Sequence, residues 1–135
     1  MTTFANAAEA EKYIGGIFEL GLADPEIGKK LAASGLVLRT AMTNPDSVVT
    51  ADLVNGTVHY GLDGSPEPNM TLTLDGATAN RFWQGKVSIP LALARGQIHL
   101  SGAVPKLVAL LPSAKTMYAA YTDRLVADGR NDLVV

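Results

Sequence analysis

The feature that most constrains the fold is a change of hydrophobic period in the middle of the chain. From Leu36 to Leu74 apolar side chains recur at every second residue, whereas the segments on either side carry them at helical spacing. Every second residue of a strand points to the same face of a sheet, so the middle segment predicts strands with one apolar face. That face needs a covering layer of helices, which indicates an α+β domain.

Four strands are expected in this segment, paired as an antiparallel meander. Asn44-Pro45-Asp46 predicts one turn. Asn55-Gly56 predicts a tight two-residue hairpin, because a type I′ turn places both central residues at positive φ. A polar loop follows at 63–68, and a fifth short strand is expected to stop at Gly102. The predicted architecture is therefore N-terminal helices and a mainly antiparallel five-stranded sheet that helices cover on one face.

Helices are expected at both ends of the chain. Asn6 predicts the N-cap of the first helix, in which Gly15-Gly16 leaves open either a kink or a close packing contact. Asp24-Pro25 predicts the start of a second helix. Near the C-terminus, Pro112 is expected to break one helix and Ser113 to cap the last one.

Length and composition limit the functions that this fold can have. The 135 residues fit one domain spanning 1–135, and 47% hydrophobic residues against 18% charged residues exclude a disordered chain. Eleven basic and thirteen acidic side chains give a net charge of −2, so no general attraction to nucleic acid or anionic lipid is expected. With no cysteine and two histidines, neither a disulfide nor a metal site is expected.

The sequence shows no recognisable targeting or membrane-spanning segment. Its first residues lack the basic and apolar regions of a secretory signal, and its last three are not a peroxisomal signal. Its longest apolar runs fall far short of the roughly 20 residues that a spanning helix needs. These features predict a cytoplasmic protein without stable membrane insertion.

The usual catalytic motifs are absent from the sequence. There is no phosphate-binding loop, no Gly-x-Gly-x-x-Gly and no Gly-x-Ser-x-Gly. His59 and His99 fall on the polar phase of their strands, which indicates solvated side chains rather than general bases. The chain is therefore expected not to be an enzyme, while a small enzyme with one of these histidines as base stays open.

Aromatic side chains in the C-terminal half allow two interpretations. Phe82, Trp83, Tyr118 and Tyr121 could stack nucleic-acid bases, or they could pack in the core. No basic stripe accompanies them, so core packing is favoured and no nucleic-acid partner is expected.

The order of segments resembles the sterol carrier protein type 2 family of small lipid-transfer domains. The resemblance covers roughly residues 12–126 and rests on glycines at turns and apolar positions in a fixed order: Asp24-Pro25-Glu26-Ile27, 70–75, 82–87, 89–94, 96–102 and 104–111. Gly85-Lys86 matches the family, whereas the second Gly-Lys of the family is Gly96-Gln97 here. The missing peroxisomal signal indicates a stand-alone, prokaryotic-like member.

This resemblance implies non-covalent binding, and with it intracellular transfer, of a lipid or other hydrophobic small molecule. The ligand is expected in an apolar tunnel between the sheet and the helices, with no catalytic residue, cofactor or metal. Trp83 and Tyr121 are expected at the rim, since each combines apolar area with a hydrogen-bonding tip. The side chains expected to line the tunnel are Met70, Leu72, Phe82, Trp83, Leu91, Ile98, Leu100, Leu107, Leu111, Met117, Tyr118 and Tyr121.

An alternative function is an interaction module that dimerises or supports a partner enzyme. In that case the tunnel is filled by the protein's own side chains, and a homodimer is expected. The apolar last helix around 117–125 and the ending Leu133-Val134-Val135 favour this alternative. The sequence leaves open whether the ligand of a carrier would be a sterol, a fatty acyl chain or an isoprenoid.

Overall fold

The computed structural model describes residues 3–135, in which a five-stranded sheet is combined with six α-helices. This agrees with the predicted α+β class. No helix within residues 3–135 is both long and apolar enough to cross a bilayer. In chain order the elements are α1 (Ala7–Ala23), α2 (Pro25–Ala33), β1 (Val37–Thr43), β2 (Ser47–Asp52), β3 (Thr57–Tyr60), β4 (Met70–Asp75), α3 (Gly76–Trp83), α4 (Ile89–Ala94), β5 (Ile98–Gly102), α5 (Val104–Lys115), α6 (Tyr118–Ala127) and a 3-10 turn (Asn131–Leu133).

The strands follow the order β3-β2-β1-β4-β5 across the sheet. Three of the neighbouring pairs are antiparallel, which confirms a mainly antiparallel sheet, and β1 runs parallel to β4 with Leu38 opposite Met70. The predicted four-strand meander is therefore wrong, because β4 lies beside β1 instead of β3. The segment 61–69 can span about 30 Å when extended, which exceeds the roughly 14 Å across three strand spacings.

One face of the sheet packs against the helices. Leu38, Thr40 and Met42 of β1 point to this face, and their neighbours across the ladders point the same way. On the opposite face, Arg39 donates from Nε to the hydroxyl of Thr50 at 3.0 Å, and its terminal nitrogen donates to a carbonyl of the 61–69 segment. The predicted covering of one sheet face by helices is thus confirmed.

Helix α1 is continuous through its two central glycines, which settles the choice between a kink and a packing contact. A side chain at Gly15 would overlap the ring of Tyr60 on β3, and one at Gly16 would overlap the guanidinium of Arg124 on α6. Tyr60 also donates its hydroxyl to Glu19, one turn further along α1, at 2.5 Å. The glycines therefore let α1 lie close to the sheet edge and to α6.

The predicted N-caps of the early helices are confirmed. Asn6 Oδ1 accepts from the backbone N–H of Glu9 at 2.9 Å. Asp24 Oδ1 accepts from the first turn of α2, at 2.9 Å from Glu26 N and 3.0 Å from Ile27 N. Each carboxylate or amide oxygen satisfies backbone N–H groups that a helix start otherwise leaves unpaired.

The turn between β2 and β3 lies where it was predicted, but it is longer than a two-residue hairpin. Asp52 pairs directly with Thr57, so the loop comprises residues 53–56. Of the two expected left-handed residues, only Gly56 has a positive φ, of 74°. The Asp52 carboxylate accepts from the backbone and side-chain nitrogens of Asn55 at 3.0 and 2.7 Å, which holds the longer turn and lowers the pKa of that carboxyl.

Pro112 does not break the helix that contains it, contrary to the prediction. Helix α5 continues to Lys115, so Ser113 lies inside it instead of capping the next helix. A proline leaves the carbonyl four residues earlier without its helical donor. That residue is Val108, and because Val108 and Pro112 are both exposed, water can satisfy the carbonyl.

Candidate functional site

An apolar cavity of about 60 Å³ lies between the sheet and the helices. Its floor comes from β1, β4 and β5, and its walls come from the first five helices and the α5–α6 link. The two strands β2 and β3 do not contribute, because α1 packs over them. The cavity therefore sits under the β1–β4–β5 half of the sheet, where α5 forms the outer wall.

Most of the residues that were predicted to line a tunnel do lie at the border of this cavity. They are Leu72, Phe82, Trp83, Ile98, Leu100, Leu107, Leu111 and Met117. The structure does not bring Met70, Leu91, Tyr118 or Tyr121 to it. Met70 is fully buried beside β5, and Leu91 is 48% exposed on the outer side of α4.

Tyr121 lies in the interior and not at a rim as predicted. It is 1% exposed, and its hydroxyl donates to Asn80 Oδ1 at 2.7 Å. Asn80 in turn donates from Nδ2 to the carbonyl of Leu133 at 2.8 Å, so this network ties α6 and the C-terminal segment to α3. Burial raises the pKa of Tyr121, which keeps the phenol a neutral donor.

Several other residues also line the cavity and were not predicted from the sequence, although some of them lie on the predicted apolar stripes. Phe18 and Leu31 lie on the inner stripes of α1 and α2, and Leu38 and Leu74 lie on the apolar phase of β1 and β4. A stripe identifies the buried side of an element, but it does not show where facing side chains leave space. The remaining missed residues are Thr40, Ile89, Val108, Leu110 and Ala114.

Aromatic rings form one wall of the cavity. Trp83 contacts Phe18 and Phe82 edge-on, with ring centroids 5.5 and 5.2 Å apart, and Tyr118 packs edge-on behind both α3 rings. These rings cover one another, so they pack together in the core, as the sequence favoured. Burial raises the pKa of the Tyr118 phenol.

Among residues 3–135, the side chains that line the cavity include no ionisable carboxylate, amine, guanidinium or imidazole group. Within residues 3–135, no three acidic or histidine side chains come together to hold a metal ion. His59 and His99 lie on the polar sheet face in opposite edge strands, separated by four strand spacings or about 19 Å. The two histidines therefore cannot act in one site, and neither reaches the cavity.

A second hollow of about 430 Å³ lies at the corner between α1 and α2, next to the start of α6. Its lining includes Leu20, Asp24 and Ile27, so it is less uniformly apolar than the cavity. Met117 borders both spaces, and a side chain at Gly21 would meet its sulfur. Met117 is therefore the residue that the linings of the cavity and the hollow share.

Comparisons with known proteins give a match in structure alone. No protein-family model matches the sequence, and no curated protein matches it. The solved structure of the sterol carrier protein domain 2 of Helicoverpa armigera is 16% identical, with a TM-score of 0.65 over 80% of this chain and 87% of that one. The chain has the sterol carrier protein 2 fold.

Two further structures support the sterol carrier protein 2 fold. Sterol carrier protein 2 from Yarrowia lipolytica is 20% identical, with a TM-score of 0.61 over 76% of this chain and 88% of that one. Sterol carrier protein 2 from Aedes aegypti is 19% identical, with a TM-score of 0.57 over 78% and 93%, and that protein was solved in complex with palmitate. The expected resemblance is thus confirmed at the level of the fold.

Proposed function

We propose that this protein binds a lipid or another hydrophobic small molecule in the apolar cavity, without a chemical step. The observation that carries the proposal is an uncharged, apolar cavity between the sheet and the helices of a sterol carrier protein 2 fold. The complex of the Aedes aegypti protein with palmitate supports it. Burial of ten methylenes would contribute roughly 8 kcal/mol before the losses of association, so no catalytic group is needed for micromolar binding.

An acyl chain requires more space than the cavity offers. Ligand pockets typically measure about 300–1,000 Å³, whereas this cavity measures about 60 Å³. The neighbouring hollow of about 430 Å³ lies behind Met117. Methionine is flexible and adopts several rotamers at low cost, so its displacement would join the two spaces to a suitable size. We therefore propose that the bound chain displaces Met117 and extends toward the α1–α2 corner.

Transfer of the ligand between membranes in the cytoplasm belongs to the same proposal. A ligand that is bound without a covalent bond can dissociate, so the protein can release it to an acceptor. The test is transfer of a fluorescent fatty acid between donor and acceptor vesicles, with a rate that rises with the concentration of the protein. A rate independent of the protein would limit the function to binding.

Trp83 allows a direct test of binding because it is the sole tryptophan and lines the cavity. Delipidated protein is titrated with stearate and with 9,10-dibromostearate, whose bromine atoms quench tryptophan fluorescence on contact. We expect stronger quenching by the brominated chain. Ala114→Leu, which fills the cavity from α5, should weaken binding, while Ala109→Leu on the exposed side of the same helix should not. Equal quenching by both fatty acids, or equal effects of both variants, would contradict the proposal.

The interaction module remains a second candidate, and the small volume of the cavity favours it. In this case the lining side chains already fill the space, and the protein acts through its surface. Native mass spectrometry of the freshly purified protein separates the two functions. A bound lipid supports the carrier, whereas a lipid-free dimer supports the interaction module.

A further inference from the structure

Thr40 is the polar exception on an apolar stripe. On the helix-facing side of β1 it stands between Leu38 and Met42, and across the ladders it lies between Val49 of β2 and Leu72 of β4. It is 3% exposed and lines the cavity. Valine has nearly the same shape and would suit the apolar surroundings better, so the hydroxyl contradicts the local pattern. Such contradictions concentrate at functional sites.

The hydroxyl of Thr40 makes no hydrogen bond with any group in residues 3–135, and neither does the indole N–H of Trp83, which is 6% exposed in the same lining. Within residues 3–135, the side-chain atom that is both fully buried and without a hydrogen bond is Thr3 Oγ1. The Thr40 hydroxyl and the Trp83 N–H, which also lack a hydrogen bond, therefore each keep some accessible surface. Both groups are therefore available to a molecule that occupies the cavity.

The chemistry of the lining restricts what that molecule can carry. No cationic side chain in the described part of the chain lines the cavity, so a carboxylate would be buried there without a counter-charge. A neutral oxygen fits instead. It can accept from the Trp83 indole, which only donates, and it can exchange a hydrogen bond with the Thr40 hydroxyl, which donates and accepts.

We propose that Thr40, together with Trp83, is a specificity-determining anchor for a neutral oxygen group, a hydroxyl or a carbonyl, on the lipid inside the cavity. The inference rests on the proposed function and deepens it, because it names the ligand class. An alcohol or ketone chain binds more tightly than a hydrocarbon chain of equal length, and a fatty acid keeps its carboxylate outside the cavity.

The test compares decan-1-ol, decan-2-one and decane as probes, with dissociation constants from Trp83 fluorescence. Thr40→Val should weaken binding of the alcohol and the ketone about 3- to 10-fold, the range expected for one hydrogen bond, and leave decane unchanged. Thr40→Ser should keep the preference for oxygen. Thr71→Val, on the opposite face of β4, is the matched control and should change no constant.

A second measurement distinguishes an anchor from a structural role. In the ligand-free protein, Thr40→Val should not lower Tm, because the Thr40 hydroxyl has no hydrogen bond within residues 3–135 that the substitution would remove. A lowered Tm, or an unchanged preference for decan-1-ol in Thr40→Val, would overturn the inference while leaving the proposed function intact. If none of the probes binds, decane included, the proposed function fails and this inference fails with it.

Discussion

Replacement of Tyr121 by phenylalanine tests the buried network that joins α6 to α3. The Tyr121 hydroxyl donates to Asn80 Oδ1 at 2.7 Å, and Asn80 is 2% exposed. Loss of the hydroxyl removes this hydrogen bond, but Asn80 Oδ1 keeps a donor, because Gln84 Nε2 also donates to it at 3.1 Å. The expected loss is therefore that of one hydrogen bond, about 1 kcal/mol of unfolding free energy.

This free energy corresponds to a measurable change in Tm. At about 2.1 cal/mol/K per residue, 135 residues unfold with an entropy of about 0.28 kcal/mol/K, so 1 kcal/mol lowers Tm by about 3.5 °C. Asn80→Ala should have a larger effect, about 2–4 kcal/mol, since it leaves the buried Tyr121 hydroxyl without an acceptor and opens a small void.

The change in Tm is measured by calorimetry and the unfolding free energy by urea unfolding, both at neutral pH, with Tyr118→Phe as the matched control. Tyr118 is half-buried beside Phe82, and its hydroxyl makes no hydrogen bond within residues 3–135. Its removal should change the unfolding free energy by less than about 0.5 kcal/mol. A stabilising role of this network is contradicted if Tyr121→Phe and Tyr118→Phe lose the same unfolding free energy, or if Asn80→Ala is less destabilised than Tyr121→Phe.

Three further predictions concern the helices of the N-terminal half. Gly16→Ala should stabilise the protein by up to about 1 kcal/mol through helix propensity, because the Arg124 guanidinium that faces Gly16 can move. Gly15→Ala should instead destabilise the protein, because the new side chain would displace the ring of Tyr60. Urea unfolding of both variants checks that the two changes in free energy have opposite signs. Asp24→Ala should cost about 1 kcal/mol and Asp24→Asn clearly less, and equal Tm values for the two would contradict the capping role. Burial, and then the hydrogen bond to Asp128, raises the pKa of Tyr13 to about 12. Because the pKa of Tyr13 is higher in the folded state than the unfolded value of about 10, the neutral phenol stabilises the fold fully below pH 10. This stability is lost as the pH rises through 12. Ultraviolet titration of the phenol and unfolding at several pH values would show this dependence.

Much of the fold follows from local signals that act within a few residues. Caps such as Asn6 and Asp24, and the left-handed glycine at Gly85, define element ends through backbone chemistry that the sequence displays directly. The partner of β4 could not be predicted in this way. Alternation of Met70, Leu72 and Leu74 is the same whether β4 pairs with β3 or with β1, so only the long-range packing of the sheet decides.

Many of the side chains that line the cavity could be predicted from the sequence, but the position of the open space between them could not. Leu72, Ile98 and Leu107 were expected on apolar faces and do line the cavity. Tyr121 carried the same signal, yet it faces Asn80, and nothing in the sequence marked this asparagine as buried. Tyr121 and Asn80 are 41 positions apart in the chain. The apolar stripe of α6 identifies the buried side of that helix, but it does not show which side chain of another helix Tyr121 will meet.

The cavity under α5 also affects how the protein responds to pressure. A cavity volume of about 60 Å³ corresponds to about 36 mL/mol, which is within the range of volume changes of about 20–100 mL/mol seen when proteins unfold under pressure. Compression therefore favours states in which this cavity is eliminated, by unfolding or by collapse of the helical layer onto the strands. A molecule that fills the cavity removes that volume difference, so the occupied protein should withstand higher hydrostatic pressure than the empty one.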